Sequence, residues 1–246
     1  MFMDNYSKHI AILGGGIAGL SLGCTLLKEG IPAVIFEKMP EETSHGAAIS
    51  LSSNALRLLD RLDIYNDLRN KSFVHFKATI QGPKKGICSF NTPEVLTTRR
   101  QTLMTLLHSR FKSLGGDINF DHTLINFDAK KCEVTFSNNK KYYFMHLAAC
   151  DGIRSSIRDS FFQVNQNPKY SGYSAWRGIG KSALKKIHFA LGPRSHVVSY
   201  PINNEGDVSF VAVRKEDFQF KESWKELGSL SNYYKTFSLM TRAFFL

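Results

Sequence analysis

The first forty residues alternate between apolar runs and a glycine-rich turn, in the order strand, turn, helix, strand. Residues 10–13 form a continuous apolar run (Ile-Ala-Ile-Leu), which is typical of a central parallel strand covered on both faces. Apolar positions then recur with helical spacing through Leu20, Cys24 and Leu27, and Gly30 is a suitable end for that helix. Residues 32–36 read as a second strand. The pattern predicts a βαβ unit.

The turn between the first strand and the helix carries candidate chemistry. Its sequence matches G-x-G-x-x-G, in which Gly14 would allow the tight turn, Gly16 the approach of a pyrophosphate, and Gly19 the close packing of helix on strand. Glu37 ends the second strand about 20 residues further on, where its carboxylate would accept hydrogen bonds from an adenosine ribose. This context predicts dinucleotide binding and leaves NAD and FAD as alternatives.

The next segments alternate less regularly. Small residues at 46–48 would let a backbone lie against a flat ring, and a helix-capping loop explains them equally well. Residues 73–90 predict a β-hairpin across the turn at 82–86. A helix follows, and it begins with Arg99 and Arg100, which is the less favourable end of a helix for cations. An anion beside them is therefore expected, with a pair of solvated arginines as the alternative.

A second strand end with unusual residues follows a run of short predicted strands. Asp151 and Gly152 come directly after the last apolar stretch and precede a helix that carries Arg158. An extended ligand such as FAD would be contacted again by such a segment, whereas an NAD-type domain needs only the first βαβ unit. The preceding strands are predicted at residues 117–120, 124–129, 132–136 and 142–148.

Composition narrows the classes of function. The formal charge is +11, yet the lysines and arginines are scattered and no basic arm or zinc-finger spacing occurs, so no nucleic-acid partner is expected. No stretch of about 18 uninterrupted apolar residues exists, so no integral membrane segment is expected. The four cysteines are widely spaced, which indicates reduced thiols in a cytoplasmic protein. No metal-binding motif is present among the eight histidines.

Four segments together resemble the single-component FAD-dependent aromatic hydroxylases, the p-hydroxybenzoate- and salicylate-hydroxylase-like monooxygenases. Residues 170–180 and 196–202 are similar to the start of that family's substrate-domain sheet, and the resemblance covers about residues 8–215. The four segments are GGGIAGL with Glu37, GAAISLSSNALRLLDRL, Arg100-Gln101-Thr102-Leu103, and ACDGIRSSIR.

The resemblance implies an α/β fold class with two domains. Residues 1–165 would form a Rossmann-like FAD-binding domain with a parallel sheet, and the hairpin at about 73–90 would join the substrate sheet. Residues 166–220 would form part of a mixed-sheet substrate domain, and residues 221–246 a helical tail. The family's later flavin-contacting segment around Gly-Asp-Ala does not occur in this sequence, so most of the part that holds the reactive ring is expected to be missing. The substrate sheet is also expected to be incomplete and to leave an edge open to self-association or a partner chain.

The resemblance also implies roles for individual residues. The glycines of the turn would hold the pyrophosphate, and Glu37 would hold the ribose with Lys38 beside it. Ser50, in a loop at 46–50, would line the flavin side. Arg100 would contact FAD near its phosphate and ribityl region, and the Asp-Gly pair would handle FAD and NAD(P)H. The implied cofactor-binding residues are Gly14, Gly16, Gly19, Glu37, Lys38, Ser50, Arg100, Asp151 and Gly152.

The implied activity is hydroxylation of a small aromatic or similar hydrophobic substrate, with FAD as cofactor, NADH or NADPH as co-substrate, and O₂. No catalytic residue is predicted. Tyr200 and His196 could face the substrate, but a purely structural role is the favoured interpretation for both. Two alternatives stay open: a truncated, catalytically inactive FAD-binding relative, and a related flavoprotein reductase.

Overall fold

The computed structural model describes residues 6–41, 47–82, 86–163 and 168–217, together with residues 231 and 237. The chain divides into two compact units. The first unit comprises Met1–His45, Arg61–Ile64 and Leu103–Pro168. The second unit comprises Gly46–Asp60, Tyr65–Thr102 and Lys169–Leu246. Residues 46–60 and 65–102 thus group with the second unit, and the chain also changes unit close to the expected boundary at residue 165.

Helices and strands are interspersed along the whole described part of the chain. In chain order they are β1 (Tyr6–Leu13), α1 (Ile17–Lys28), β2 (Ala33–Phe36), β3 (Ala48–Leu51), α2 (Ser53–Arg61), α3 (Tyr65–Asn70), β4 (Phe73–Gln81), β5 (Ile87–Arg99), α4 (Arg100–Ser113), β6 (Asp117–Asn119), β7 (Leu124–Asp128), β8 (Glu133–Phe136), β9 (Lys141–Ala149), α5 (Ser156–Phe161), β10 (Tyr173–Lys181), β11 (Ile187–Gly192), β12 (Ser195–Pro201) and β13 (Asp207–Lys215).

The first unit is built on a six-stranded sheet in the order β6-β2-β1-β9-β8-β7. Strand β1 pairs in parallel with both β2 and β9, and β2 pairs in parallel with β6. Strands β7 and β8 continue the sheet beyond β9 in antiparallel pairing. Strands β2 and β6 therefore lie on one side of β1, and β9 lies on the other side, so the strand order reverses direction at β1. In such sheets a ligand crevice is expected at the carboxyl ends of the two strands where the order reverses.

The core of the first unit explains why these strands are continuously apolar. Strand β2 is buried along its whole length, as expected for a strand covered on both faces. The aromatic rings of Phe36 and Phe136 stack with centroids 4.8 Å apart, and Tyr142 packs edge-on against Phe136. Helix α1 packs closely on α4: a Cβ on Gly23 of α1 would lie 2.6 Å from the ring of Phe111 of α4, so this contact requires glycine.

The second unit is built on a seven-stranded mixed sheet in the order β10-β13-β12-β11-β4-β5-β3. Strands β11 and β4 pair in parallel, and the other neighbours pair in antiparallel fashion. The predicted hairpin at 73–90 corresponds to β4 and β5, and β4 joins this sheet through β11. Strands β10 and β3 are the two edges of the sheet within the described residues.

Two polar groups are fixed inside the second unit. His75 is 2% exposed, and its Nε2 lies 2.7 Å from the hydroxyl of Thr97. Burial lowers the pKa of His75 to about 4, so the imidazole is neutral at physiological pH. Asp207 accepts hydrogen bonds from Lys181, Arg99 and Asn203, and these donors lower the pKa of its carboxyl to about 2.

The predicted fold class is confirmed: an α/β chain with a parallel-strand sheet of Rossmann type and a second, mixed sheet. Helix α3 and strand β11 were not predicted. Strand β5 extends to Arg99, well beyond the predicted hairpin. The segment predicted as a loop at 46–50 is in part strand β3, while Gly46 lies outside the described residues. All but two residues of the predicted helical tail also lie outside them.

Three further observations concern cysteines, metals and membranes. All four cysteines are free thiols. Within the described ranges, no three His, Cys, Asp or Glu side chains come together in a way that could hold a metal ion. None of the described helices is long and apolar enough to cross a membrane.

Candidate functional site

Two strand ends meet at the point where the strand order of the first unit reverses. Strands β1 and β9 stay paired to their last residues, with Leu13 opposite Ala149. The N–H of Cys150 then donates to the carbonyl of Leu13 at 2.8 Å, so the pairing continues into the loop. The glycine turn after β1 and the Asp-Gly pair after β9 are consequently neighbours. The two motifs singled out from distant parts of the sequence are therefore adjacent in the fold.

The main chain of the glycine turn is packed too tightly for any side chain at two positions. Gly14 has a φ of +106°, and a Cβ there would lie 2.4 Å from the carbonyl oxygen of Cys150. A Cβ on Gly19 would lie 1.9 Å from the carbonyl oxygen of Gly14. The turn therefore closes against β9 on one side and against helix α1 on the other, which is the packing that the glycine spacing predicts.

The third glycine of the motif leaves space. A Cβ on Gly16 would meet no atom within 4 Å, and Gly16 is the N-cap residue of α1. Because glycine has no side chain, the first N–H groups of α1 receive no hydrogen bond from their cap, and the first helical turn contains no acidic residue. Free N–H groups and the positive end of the helix dipole favour an anion at this position. The geometry fits a pyrophosphate.

The carboxylate of Glu37 is fixed between two main-chain N–H groups. Its Oε2 accepts from Gly15 at 2.6 Å and its Oε1 from Met39 at 2.8 Å. Each carboxylate oxygen can accept more than one hydrogen bond, so both retain capacity for hydroxyl donors. Glu37 is half-buried and Lys38 beside it is exposed. A pair of vicinal hydroxyls, such as those of a ribose, matches these two oxygens.

The Asp-Gly segment turns the chain away from the sheet. Asp151 is half-buried, and its Oδ2 lies 3.4 Å from the N–H of Ile157 at the start of α5. Gly152 has a φ of +84°, a conformation that favours glycine. Arg158 donates to Asp159 and to the carbonyl of Ile153, so part of its hydrogen-bonding capacity serves the local fold.

Ser50 and Arg100 belong to the second unit. Ser50 is exposed on the edge strand β3, opposite Thr97 of β5. Arg100 is the first residue of α4, and its N–H donates to the carbonyl of Ala47 at 3.1 Å. The neighbouring Arg99 donates to Asp207 at 2.9 Å, so Arg99 is paired with a carboxylate of this chain. An anion between the two arginines and the start of the helix stays a prediction.

Tyr200 and His196 lie on strand β12 of the second unit. Tyr200 is 6% exposed and packs with Ala78 and Ile187 in a hydrophobic cluster. His196 is half-buried and pairs with Val213 of β13. The environment of Tyr200 favours the structural role that was preferred from the sequence.

Sequence reasoning missed three contributions to the site. The main chain of Cys150 lies against Gly14, and a motif of side-chain types cannot reveal such a main-chain contact. Gly15 was an unspecified position of the motif, yet a Cβ there would meet the Glu37 side chain at 3.3 Å. His122 contacts the main chain of Glu37 from a segment without a recognisable motif. Of these three residues, only Cys150 lies next to a predicted feature, because it directly precedes Asp151 and Gly152.

Comparison with known proteins identifies a family for this chain. A family model described as an FAD binding domain matches residues 7–226. The chain is 27% identical over 238 residues to 3-amino-4-hydroxybenzoate 2-monooxygenase PtnB3 of Streptomyces platensis, covering 86% of this chain and 58% of that protein. It is 31% identical over 180 residues to Monooxygenase 1 of Arabidopsis thaliana, covering 70% of this chain and 44% of that protein.

Solved structures share the fold. HpxO of Klebsiella pneumoniae, crystallised with FAD and uric acid, matches with a TM-score of 0.80 at 17% identity, covering 94% of this chain and 62% of that one. The 2-methyl-3-hydroxypyridine-5-carboxylic acid oxygenase matches with a TM-score of 0.78 at 21% identity, covering 96% and 66%. The chain thus spans between about two fifths and two thirds of the length of these four proteins.

Proposed function

The chain belongs to the family of FAD-binding domains found in FAD-dependent monooxygenases, and we propose that it binds FAD and acts in the hydroxylation of a small aromatic substrate. The observation that carries the proposal is the meeting of three features in the first unit. The closed glycine turn, the uncapped start of α1 and the doubly anchored carboxylate of Glu37 lie along the ends of β1 and β2.

In this proposal the first unit binds the adenosine and pyrophosphate part of the cofactor. The N–H groups at the start of α1 bind the pyrophosphate, and Gly14, Gly16 and Gly19 keep that space free of side chains. Glu37 accepts hydrogen bonds from the adenosine ribose, and Lys38 adds positive charge beside it. Asp151 and Gly152, next to the turn, provide a second contact with the cofactor.

Ser50 and Arg100 are proposed as further cofactor contacts because of the family resemblance. The support for Arg100 is the resemblance of the segment at residues 100–103 to the family pattern, together with its position at a helix start, where an anion would offset its charge. Ser50 presents an exposed hydroxyl on an edge strand.

Bound FAD would supply the redox chemistry, with NADH or NADPH as the hydride donor and O₂ as the source of the transferred oxygen. The residues of this chain would hold the cofactor, orient it and exclude water from it. A cytoplasmic location stays a prediction, as does pairing of another chain with an edge of the mixed sheet, for which β10 and β3 are the candidates.

The test is the visible absorption spectrum of the purified chain after incubation with FAD and desalting. Flavin absorption at close to one FAD per chain supports the proposal. A screen of aromatic substrates for NADH or NADPH consumption, with mass spectrometry for a hydroxylated product, then tests the activity. A chain that keeps FAD without forming product fits the non-catalytic alternative, and substrate reduction without hydroxylation fits the reductase. A chain that keeps no FAD contradicts the proposal.

A further inference from the structure

The main chain of Glu37 is held on both sides by a segment that lies outside the glycine motif. The N–H of Glu37 donates to the carbonyl of Asn119, and the carbonyl of Glu37 accepts from the N–H of His122, each at 2.9 Å. The end of β6 and the loop between β6 and β7 therefore hold the two peptide groups of the residue that would recognise the ribose. The position of that carboxylate depends on the shape of this loop.

The side chain of His122 closes the same loop. Its Nδ1 lies 2.6 Å from the carbonyl oxygen of Phe120, which can only accept, so Nδ1 carries the proton. Between them Asp121 adopts a φ of 56°, in the left-handed region that a non-glycine residue rarely occupies. The hydrogen bond across this residue offsets part of its strain. His122 thus holds the turn in the shape that lets its own N–H reach Glu37.

The other nitrogen of His122 is tied to a distant turn. Nε2 lies 3.1 Å from Nδ2 of Asn138 in the turn between β8 and β9, and 3.5 Å from the hydroxyl of Tyr142. Asn138 Oδ1 accepts from the N–H of Lys140 at 3.0 Å, which fixes the amide with its nitrogen facing the imidazole. An imidazole with its proton on Nδ1 accepts at Nε2, so the amide of Asn138 donates to His122, and His122 donates to the carbonyl of Phe120.

Aromatic packing fixes the ring as well. His122 is 8% exposed and packs edge-on against Phe36, with centroids 5.4 Å apart, and against Phe136 at 5.0 Å. Phe36 is the residue that precedes Glu37 in the chain. His122 therefore restrains the Glu37 region through a main-chain hydrogen bond and through the neighbouring side chain.

We propose that His122 is a positioning residue for ribose recognition: it holds the loop that fixes Glu37, without touching the nucleotide itself. This inference rests on the proposed function, in which Glu37 accepts hydrogen bonds from the adenosine ribose. A carboxylate that must meet two hydroxyls has to be placed within about 0.5 Å of its productive position. Loosening the loop should therefore weaken binding through the hydroxyls and leave the pyrophosphate contacts intact.

Three variants separate the contributions of the imidazole. His122→Phe keeps an aromatic ring against Phe36 and removes the hydrogen bonds of both ring nitrogens. His122→Asn places an amide where Nδ1 was and can restore the bond to Phe120. Asn138→Ala removes the nearer of the two partners of Nε2, which lies in an exposed turn, and leaves the Tyr142 hydroxyl and the core unchanged.

The experiment measures the affinities of the wild-type chain and the variants for ADP, 2′-deoxy-ADP and 3′-deoxy-ADP by calorimetric titration. In the wild type, loss of a hydroxyl that bonds a carboxylate should weaken binding about tenfold or more. In His122→Phe, the three nucleotides should bind about equally weakly, because ADP loses two hydroxyl contacts while each deoxy analogue loses only the one that it keeps. The affinity for ADP should therefore fall by a larger factor than the affinity for either analogue. His122→Asn should recover part of the discrimination, and Asn138→Ala should give an intermediate value.

Other outcomes overturn the inference in distinguishable ways. If His122→Phe weakens ADP and both analogues by one common factor, or leaves the discrimination intact, His122 has only a structural role. If His122→Phe fails to fold by circular dichroism, unchanged discrimination in Asn138→Ala and His122→Asn overturns it. If the wild type binds ADP without discriminating, the role of Glu37 is wrong. If the wild type binds neither ADP nor FAD, the proposed function itself fails.

Discussion

Gly14 at the end of β1 lies directly against the main chain of Cys150 at the end of β9, so that a Cβ on Gly14 would be 2.4 Å from the Cys150 carbonyl oxygen. The contact joins the glycine turn to the segment that carries Asp151. It also explains why the turn needs glycine for two reasons at once, a positive φ and the absence of space. Glycines that meet only the first requirement offer a direct control.

Substitution Gly14→Ala should abolish stable FAD binding, because the added methyl group must push the turn away from β9. Gly30→Ala is the matched control: Gly30 has a φ of +73°, and a Cβ there would meet no atom within 4 Å. It should lower the free energy of unfolding by about 1 kcal/mol through backbone strain and leave FAD binding intact. Both effects are measured by FAD retention after desalting and by urea unfolding. Equal FAD retention in the two variants would contradict the assigned site.

Glu37→Gln should weaken FAD binding by about tenfold or more, since an amide offers one acceptor oxygen where the carboxylate offers two. One of the N–H groups of Gly15 and Met39 would also lose its acceptor. Glu41→Gln, an exposed change of the same chemistry nearby, is the control. Flavin fluorescence quenching measures the two affinities. Identical dissociation constants for the two variants would show that Glu37 does not contact the nucleotide.

The neighbouring arginines should behave differently. Arg100→Ala should reduce FAD affinity about tenfold, as expected when a charged hydrogen-bond donor to a phosphate is lost. Arg99→Ala removes a partner of Asp207 and should lower the free energy of unfolding by about 0.5–1 kcal/mol without changing FAD affinity. The measurements are flavin titration and urea unfolding of each variant. If FAD affinity fell in Arg99→Ala and not in Arg100→Ala, Arg99 rather than Arg100 would be the residue that contacts the cofactor.

His75 should make the second unit sensitive to acid. Burial lowers the pKa of His75 from 6.5 to about 4, so the unfolded chain binds a proton in this range before the folded chain does. The free energy of unfolding should therefore fall as pH decreases from about 6.5 to about 4, by at most about 3 kcal/mol from this group.

His75→Gln should flatten that dependence, measured by urea unfolding at a series of pH values. A residual slope is expected because burial also lowers the pKa of His188, which acts in the same direction. An unchanged slope in the variant would show that His75 is not the group that titrates.

The cysteines should differ in reactivity. Cys24 is buried, and burial raises the pKa of its thiol to about 11, so it should not react with a thiol reagent at pH 8 unless the chain unfolds. Cys88 is exposed and should react first. Mass spectrometry of the labelled peptides over time identifies the order, and Cys88→Ser should remove the fast phase. Labelling of Cys24 in the fast phase would contradict the described packing of α1 on α4.

Much of the first unit could be predicted because its signals are local. The apolar run before Gly14, the helical spacing after Gly19 and the acid at residue 37 all fall within one βαβ unit. Strand β11 was missed because short strands carry little periodicity. The prediction of a loop at 46–50 was partly wrong, because Ala48–Leu51 forms a strand by pairing with β5. No local sequence pattern indicates that these two segments pair.

The candidate site likewise combines features with local sequence signals and features that depend on long-range contacts. The glycine turn, the ribose-binding candidate and the family could all be read from the amino-acid sequence, because each depends on residue types at short fixed spacings. Three contacts became visible only in the folded chain: Cys150 closes the glycine turn, Asp207 pairs with Arg99, and the N–H of His122 donates to the carbonyl of Glu37. These contacts join residues that lie far apart in the chain. They arise from the order and register of strands in a sheet, which main-chain hydrogen bonding and core packing select together and which local spacing does not encode.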